Sequence, residues 1–216
     1  MIGEFIDEET GEKKMRWGWT HPILIPYFDA AGDLVSLRPH KGGAKKGKVQ
    51  RTHLYVPRRK DKGTQFDCEK VVIAESEFKC AALWQMLGEG SSENVADIWG
   101  VCGLPGIQQF QNIAVENELI DYLNDVNPTE VVIVFDNEEK GDPNLKGYNK
   151  DFEKRFDSII YARVLAEKLE KWFPQKIIKV GNLPDEWRDE NGKADWDGVL
   201  GRMATGDLAA EKIESV

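Results

Sequence analysis

The chain has 216 residues, 41% hydrophobic, 31% charged and 10% aromatic, with a formal net charge of −9. This is too charged for a membrane protein and too apolar for a disordered one, and no stretch approaches the roughly 20 apolar residues of a membrane span. The opening MIGEFIDEETGEKK is acidic and interrupted, so no signal or transit peptide is expected, and the protein is expected to be soluble and cytoplasmic.

Residues 1–20 read as a polar lead-in in which Trp17 and Trp19 alternate as strand residues do. HPILIPYFDAAGDLVSLRPH then predicts a hairpin, with Ile23–Phe28 outbound, a turn over Asp29–Asp33 and a return over Leu34–Leu37. The next stretch carries most of the positive charge. Between Ser36 and Lys62 stand ten Lys or Arg (Arg38, Lys41, Lys45, Lys46, Lys48, Arg51, Arg58, Arg59, Lys60 and Lys62) against the single acid Asp61. The window is +9 and the remainder −18. Such a basic arm on an acidic body suits a protein that grips phosphates with one part and places cations with another. The alternative is a solvated loop whose lysines only keep it soluble. A short strand at His53–Val56 closes a small basic β-rich subdomain, placed at 1–66.

From Glu69 the pattern alternates strand and helix. KVVIA (Lys70–Ala74) is a continuous β-branched run, as in a strand buried on both faces. Helix is predicted over Glu77–Leu87, with Phe78, Ala81, Ala82 and Met86 inward. A second strand follows at Ala96–Cys102, ending in GLPG, and then a helix over Ile113–Leu123 with Ile113, Leu119, Ile120 and Leu123 spaced along one side. EVVIVF (Glu130–Phe135) is the third strand. A helix over Asp157–Phe173 presents Ile160, Val164, Leu165, Leu169 and Trp172 to a core, and Lys176–Val180 is the fourth strand. Strands separated by helices pair in parallel, so residues 67–205 are expected to form an α/β domain, with a tail at 206–216.

In open parallel sheets, ligands collect at the carboxyl ends of the strands. Three acidic groups fall there: Glu75 after the first strand, Asp136 and Glu138 after the third, and Asp195 and Asp197 soon after the fourth. Carboxylates that converge repel unless a cation lies between them. All-oxygen ligands favour Mg²⁺ or Mn²⁺. Zinc is not expected, because Cys68, Cys80, Cys102, His21, His40 and His53 have no metal-site spacing. Each acid also has a simpler reading. Glu75 and Asp195 are well placed at helix starts, and Asp136 opens a loop.

Three segments, VVIAESEFKCAAL, GVCGLPG and VVIVFDNE, resemble the Toprim domain, which bacterial-type primases share with topoisomerases and some nucleases. Two flanks narrow the resemblance to primases of phage and plasmid type. HPILIPYFDAAGDLVSLRPHKG with HLYVP is similar to the basic subdomain before Toprim, and NLPDEWRDENGKADWDGVL is similar to a segment that adds acids to the site. The likeness covers about residues 20–200 and departs in two places. Ser76 stands for a motif glycine, and Glu138 for the second Asp of D-x-D. Zinc-binding and helicase modules are not recognisable.

The resemblance implies a Toprim-like α/β fold with a mostly parallel sheet, and nucleotidyl transfer that makes short primers on single-stranded DNA from nucleoside triphosphates. It implies that Asp136, Glu138 and Asp195, with Asp197 as a weaker candidate, hold two divalent ions. Glu75 would join them or act as a general base. Lys79 would reach a phosphate or serve as an ordinary surface lysine. Arg38, Lys41, Lys45, Lys46, Lys48, Arg51 and Arg58 would hold the nucleic-acid backbone. Trp187 and Trp196 have two readings, base stacking or core packing. Activity would draw on further domains or partners, a replicative helicase in cis or in trans among them, and no membrane. The alternatives are a Toprim-type metal-dependent nuclease and a non-catalytic nucleic-acid-binding primase remnant.

Overall fold

The structure is a computed structural model that describes residues 4–6, 13–15, 23–28, 33–40, 53–57, 68–88, 99–138, 158–190 and 192–205. Lys41, Lys45, Lys46, Lys48, Arg51 and Arg58, the two lead-in tryptophans and the tail at 206–216 lie outside the described residues. The chain divides into two compact units, Met1–Arg51 and Thr52–Val216.

The first unit contains two antiparallel pairs. Strands β1 (Glu4–Ile6) and β2 (Lys13–Met15) form one, which the sequence pattern does not announce. Strands β3 (Ile23–Phe28) and β4 (Leu34–His40) form the expected hairpin. Alternation along β3 buries Ile25 and Tyr27 on one face and turns Leu24 outward on the other.

The second unit is built on strands β5 (Lys70–Ala74), β6 (Trp99–Gly103), β7 (Glu130–Phe135) and β9 (Ile177–Asn182). They form an all-parallel sheet in the order β6-β5-β7-β9, and its helices are α1 (Glu77–Gly88), α2 (Ile113–Val126), α3 (Ser158–Trp172) and α4 (Trp196–Thr205). The two-stranded pair of β8 (Asn137–Glu138) with β10 (Lys193–Ala194) completes it. With the N-terminal hairpins, this is the α/β architecture expected, consistent with a Toprim-like domain.

The sheet is covered on both faces, and the strands supply both cores by alternation. Val71 and Ile73 of β5 and Val131, Ile133 and Phe135 of β7 join Leu119, Leu123, Leu165 and Leu169 of α2 and α3. Val72, Ala74 and Val134 face the other way, onto Leu83 of α1, Val199 of α4, and Trp187 and Trp196. Trp187 and Trp196 are thus core residues. Among the described residues, no helix is long and apolar enough to cross a membrane.

Three details differ from the sequence pattern. His53–Pro57 belongs to the larger unit, so the division falls well before residue 66. The segment forms a single bridge, not a strand, with Tyr55 N donating to the Gly103 carbonyl at 2.9 Å and Gly103 N to that of Tyr55 at 2.7 Å. Glu118 of α2 secures it, accepting from Leu54 N at 2.6 Å and lying 2.7 Å from His53 Nδ1. The helix faces differ in part from those expected, with Ala82, Leu165 and Leu169 buried as predicted. Phe78 is exposed on α1 while Glu77, Lys79 and Cys80 are buried, and Ile160 and Val164 are exposed on α3 while Ala162 and Ala166 are buried. Ile113 is exposed as well.

Gly103 is a point of close approach. A Cβ there would lie 2.9 Å from Cys80 Cβ and 2.9 Å from the Ser76 carbonyl, so α1 could not rest on the end of β6. Gly103→Ala is expected to lower stability by about 1–3 kcal/mol in urea unfolding. A loss below about 0.5 kcal/mol, the range of ordinary surface changes, would mean that α1 gives way freely.

Candidate functional site

The sheet order creates the crevice. From β5 the chain leaves through α1 to β6 on one side, and from β7 it leaves through α3 to β9 on the other. The carboxyl ends of β5 and β7 therefore flank the point where the winding reverses, the usual ligand position in open α/β sheets. Glu75 is the first residue after β5 and Asp136 the first after β7.

Two lysines join these carboxylates to a third. Lys79, in the first turn of α1, lies 3.5 Å from Glu75 Oε2 and forms an ion pair with Asp136 Oδ2. Lys193 of β10 lies 3.1 Å from the same Asp136 Oδ2 and 2.6 Å from Asp195 Oδ2. The result is an alternating chain, Glu75–Lys79–Asp136–Lys193–Asp195. Asp136 is only 2% exposed, and burial of a carboxylate at that depth requires partners of this kind.

Local structure explains how each group arrives. Ser76, in place of the motif glycine, is not among the residues with positive φ, so its Cβ is tolerated in the turn after Glu75. Its carbonyl accepts from Cys80 N at 2.9 Å, opening α1 and directing Lys79 back over the strand ends. Ser158 Oγ, at the start of α3, donates to the Asp136 carbonyl. Asn137 is buried and pinned. Its Nδ2 donates to the Leu183 carbonyl at 2.5 Å and to Asp185 Oδ1 at 2.9 Å, and its Oδ1 accepts from Arg188 Nη2 at 2.8 Å. Gly192, at φ 71°, turns the chain so that Lys193 and Ala194 pair with Glu138 and Asn137. Asp195 does two things at once: its Oδ1 caps α4 by accepting from Gly198 N at 2.9 Å, and its Oδ2 meets Lys193.

The structure thus gathers Glu75, Lys79, Asp136 and Asp195 of the expected residues. Asp197 stands exposed in the first turn of α4, and of Glu138 only the backbone, paired with Lys193, is described. Arg38 lies on the hairpin of the other unit. Lys193 was not expected. Its signal was the spacing K-A-D, since residues two apart on a strand share a face. Asn137, Ser158 and Arg188 were also missed, because polar loop residues announce no partner.

The electrostatics follow from these contacts. Burial opposes ionisation of Asp195, but the hydrogen bond and charge of Lys193 outweigh it and hold the carboxyl below its ordinary value. Burial likewise opposes the charge on Lys193, yet Asp136 and Asp195 together hold its ammonium well above the usual lysine range. Asp197 is shifted upward, by partial burial and then by the charge of Asp195. Negative charge remains in excess here, with Glu75, Asp136, Asp195 and Asp197 set against Lys79 and Lys193.

The oxygens that could hold a hard divalent cation are carboxylates already shared with the two lysines. Among the described residues Asp136 Oδ1 is buried without a hydrogen-bond partner, while Oδ2 carries both lysines. Among the described residues no three His, Cys, Asp or Glu are gathered closely enough to hold an ion by themselves. That is compatible with Mg²⁺, which is usually held by one or two carboxylates, with water and substrate phosphate completing the shell. Compared with models of known families, with curated proteins and with solved structures, the chain matches none.

Proposed function

We propose that the chain carries out primase-like nucleotidyl transfer, making short primers on single-stranded DNA from nucleoside triphosphates. The observation that supports this best is the linkage of Glu75, Asp136 and Asp195 through Lys79 and Lys193 at the sheet's switch point, with one oxygen of Asp136 unpaired among the described residues. Asp136, through Oδ1, with Glu138, Asp195 and Glu75, would hold Mg²⁺ or Mn²⁺, and Asp197 would contribute charge. When bound, such an ion neutralises phosphate charge and favours an attacking 3′-hydroxyl. Lys79 and Lys193 orient triphosphate oxygens, and Glu75 can take a proton from the hydroxyl as an alternative to holding metal. The basic arm, with Arg38, Lys41, Lys45, Lys46, Lys48, Arg51 and Arg58, tracks the template backbone, and a replicative helicase in cis or in trans presents the strand.

The pairing of Asp136 with two lysines favours a second reading, a non-catalytic nucleic-acid-binding primase remnant in which the ion pairs are structural. One assay separates the two: single-stranded template, labelled ribonucleotides, and Mg²⁺ or Mn²⁺. Primer products support the proposal, strand cleavage indicates a hydrolytic nuclease instead, and DNA binding without either product supports the second reading.

Joint neutralisation of Lys45, Lys46 and Lys48 is expected to reduce the slope of log affinity against log salt by about 2–3, as single-stranded contacts require. An unchanged slope in filter-binding titrations would return the loop to ordinary solvation.

A further inference from the structure

The two lysines are not equivalent. Lys79 rises from the first turn of α1 and its side chain is 11% exposed, whereas that of Lys193 is 29% exposed on the two-residue strand β10. Both end on Asp136 Oδ2, and two ammonium groups on one oxygen repel each other. Asp136 Oδ1, on a residue 2% exposed, has no hydrogen bond among the described residues. One oxygen of the central carboxylate is therefore doubly used and the other unspent, although each can accept two bonds. The crowding is relieved most easily through Lys193, the more exposed of the two, which stands on a two-residue strand and not in a packed helix.

We propose that Lys193 is a resident competitor of divalent cations: its ammonium holds Asp136 and Asp195 together until an ion takes Asp136, and then turns to the phosphate of the substrate. This rests on the nucleotidyl-transfer reading, in which Asp136 holds the ion. Lys193 acts here as a positioning residue that an ion must displace from Asp136 and that, once displaced, meets the polyphosphate. Ion binding and release of the lysine are then coupled, and the coupling is reciprocal.

The two ligands should respond in opposite directions, whereas a substitution that only loosened the site would weaken both. In the full chain without nucleotide or DNA, Lys193→Gln is expected to tighten Mn²⁺ binding by about tenfold, the scale on which neighbours of metal ligands act. Electron paramagnetic resonance of free Mn²⁺ reads this directly. The same variant should weaken binding of inorganic pyrophosphate at saturating Mn²⁺, where the ion has released the lysine, read by calorimetry, while Lys193→Arg keeps the wild-type values of both. If Lys193→Gln does not fold, Lys193→Met is read in the same way, since it preserves most of the stem. Equal or weaker Mn²⁺ binding in a folded Gln or Met variant overturns the inference. If Asp136→Asn nevertheless lowers Mn²⁺ affinity in the wild-type background, the nucleotidyl-transfer reading survives that failure. If Asp136→Asn leaves Mn²⁺ binding unchanged, both fall.

Discussion

Asp136→Asn is expected to reduce primer synthesis by at least about a hundredfold, the cost of removing one preorganised charge from a reacting centre. DNA affinity should stay within about threefold, since a phosphate-tracking arm gains its affinity from lysines and arginines elsewhere. The substitution keeps the shape of the side chain and removes its charge, which tests the carboxylate and not the packing. It also carries a stability cost. Asp136 is 2% exposed and paired with Lys79 and Lys193, and a buried ion pair that loses one partner leaves an uncompensated charge. Because Lys79 keeps Glu75 and Lys193 keeps Asp195, the loss should be about 3 kcal/mol, the low end for such pairs. Thermal unfolding measures that part, and synthesis assayed well below the transition measures the other. Undiminished synthesis in the folded variant would remove Asp136 from the chemistry.

Trp187→Ala is the second large effect. Trp187 is 1% exposed in the core beneath α4, and its carbonyl accepts from Arg202. Truncation should cost about 3–5 kcal/mol, the transfer free energy of the ring plus that of the cavity it leaves. The site should feel the change, because the same turn supplies the Leu183 carbonyl and Asp185 that hold Asn137, and runs on into Lys193 and Asp195. Hydrogen exchange should then quicken at Asn137, Glu138, Lys193 and Ala194 before it quickens in β5. Urea unfolding checks the first expectation. A loss under about 1 kcal/mol would show that the ring lies in a replaceable contact.

The sheet was legible because burial on both faces leaves a plain mark. Lys70–Ala74 and Glu130–Phe135 are nearly uninterrupted apolar runs, and β5 and β7 have these bounds. The placement of Glu75 and Asp136 followed, since both stand next to a strand end in the chain. The faces of α1 were less legible for a reason tied to the site. Its buried side includes Glu77 and Lys79, and a search for apolar periodicity cannot see charged residues that are buried because they have partners. Apolar periodicity therefore points toward Phe78 and Ala81 as well as toward the buried Ala82. Lys193 was hidden by distance, since its position depends on the pairing of β10 with β8, which lies more than fifty residues away in sequence.

Sequence alone therefore determined the class of the fold, its alternating strands and helices, and the identity of the acids at the strand ends. These depend on local hydrophobic pattern and on adjacency along the chain. Only the tertiary structure decided that Glu75, Asp136 and Asp195 meet through two lysines, and that the oxygens of Asp136 are unequally used. Which charges neutralise one another in a crevice depends on distances between remote segments. Those distances are set by the order in which the strands pair.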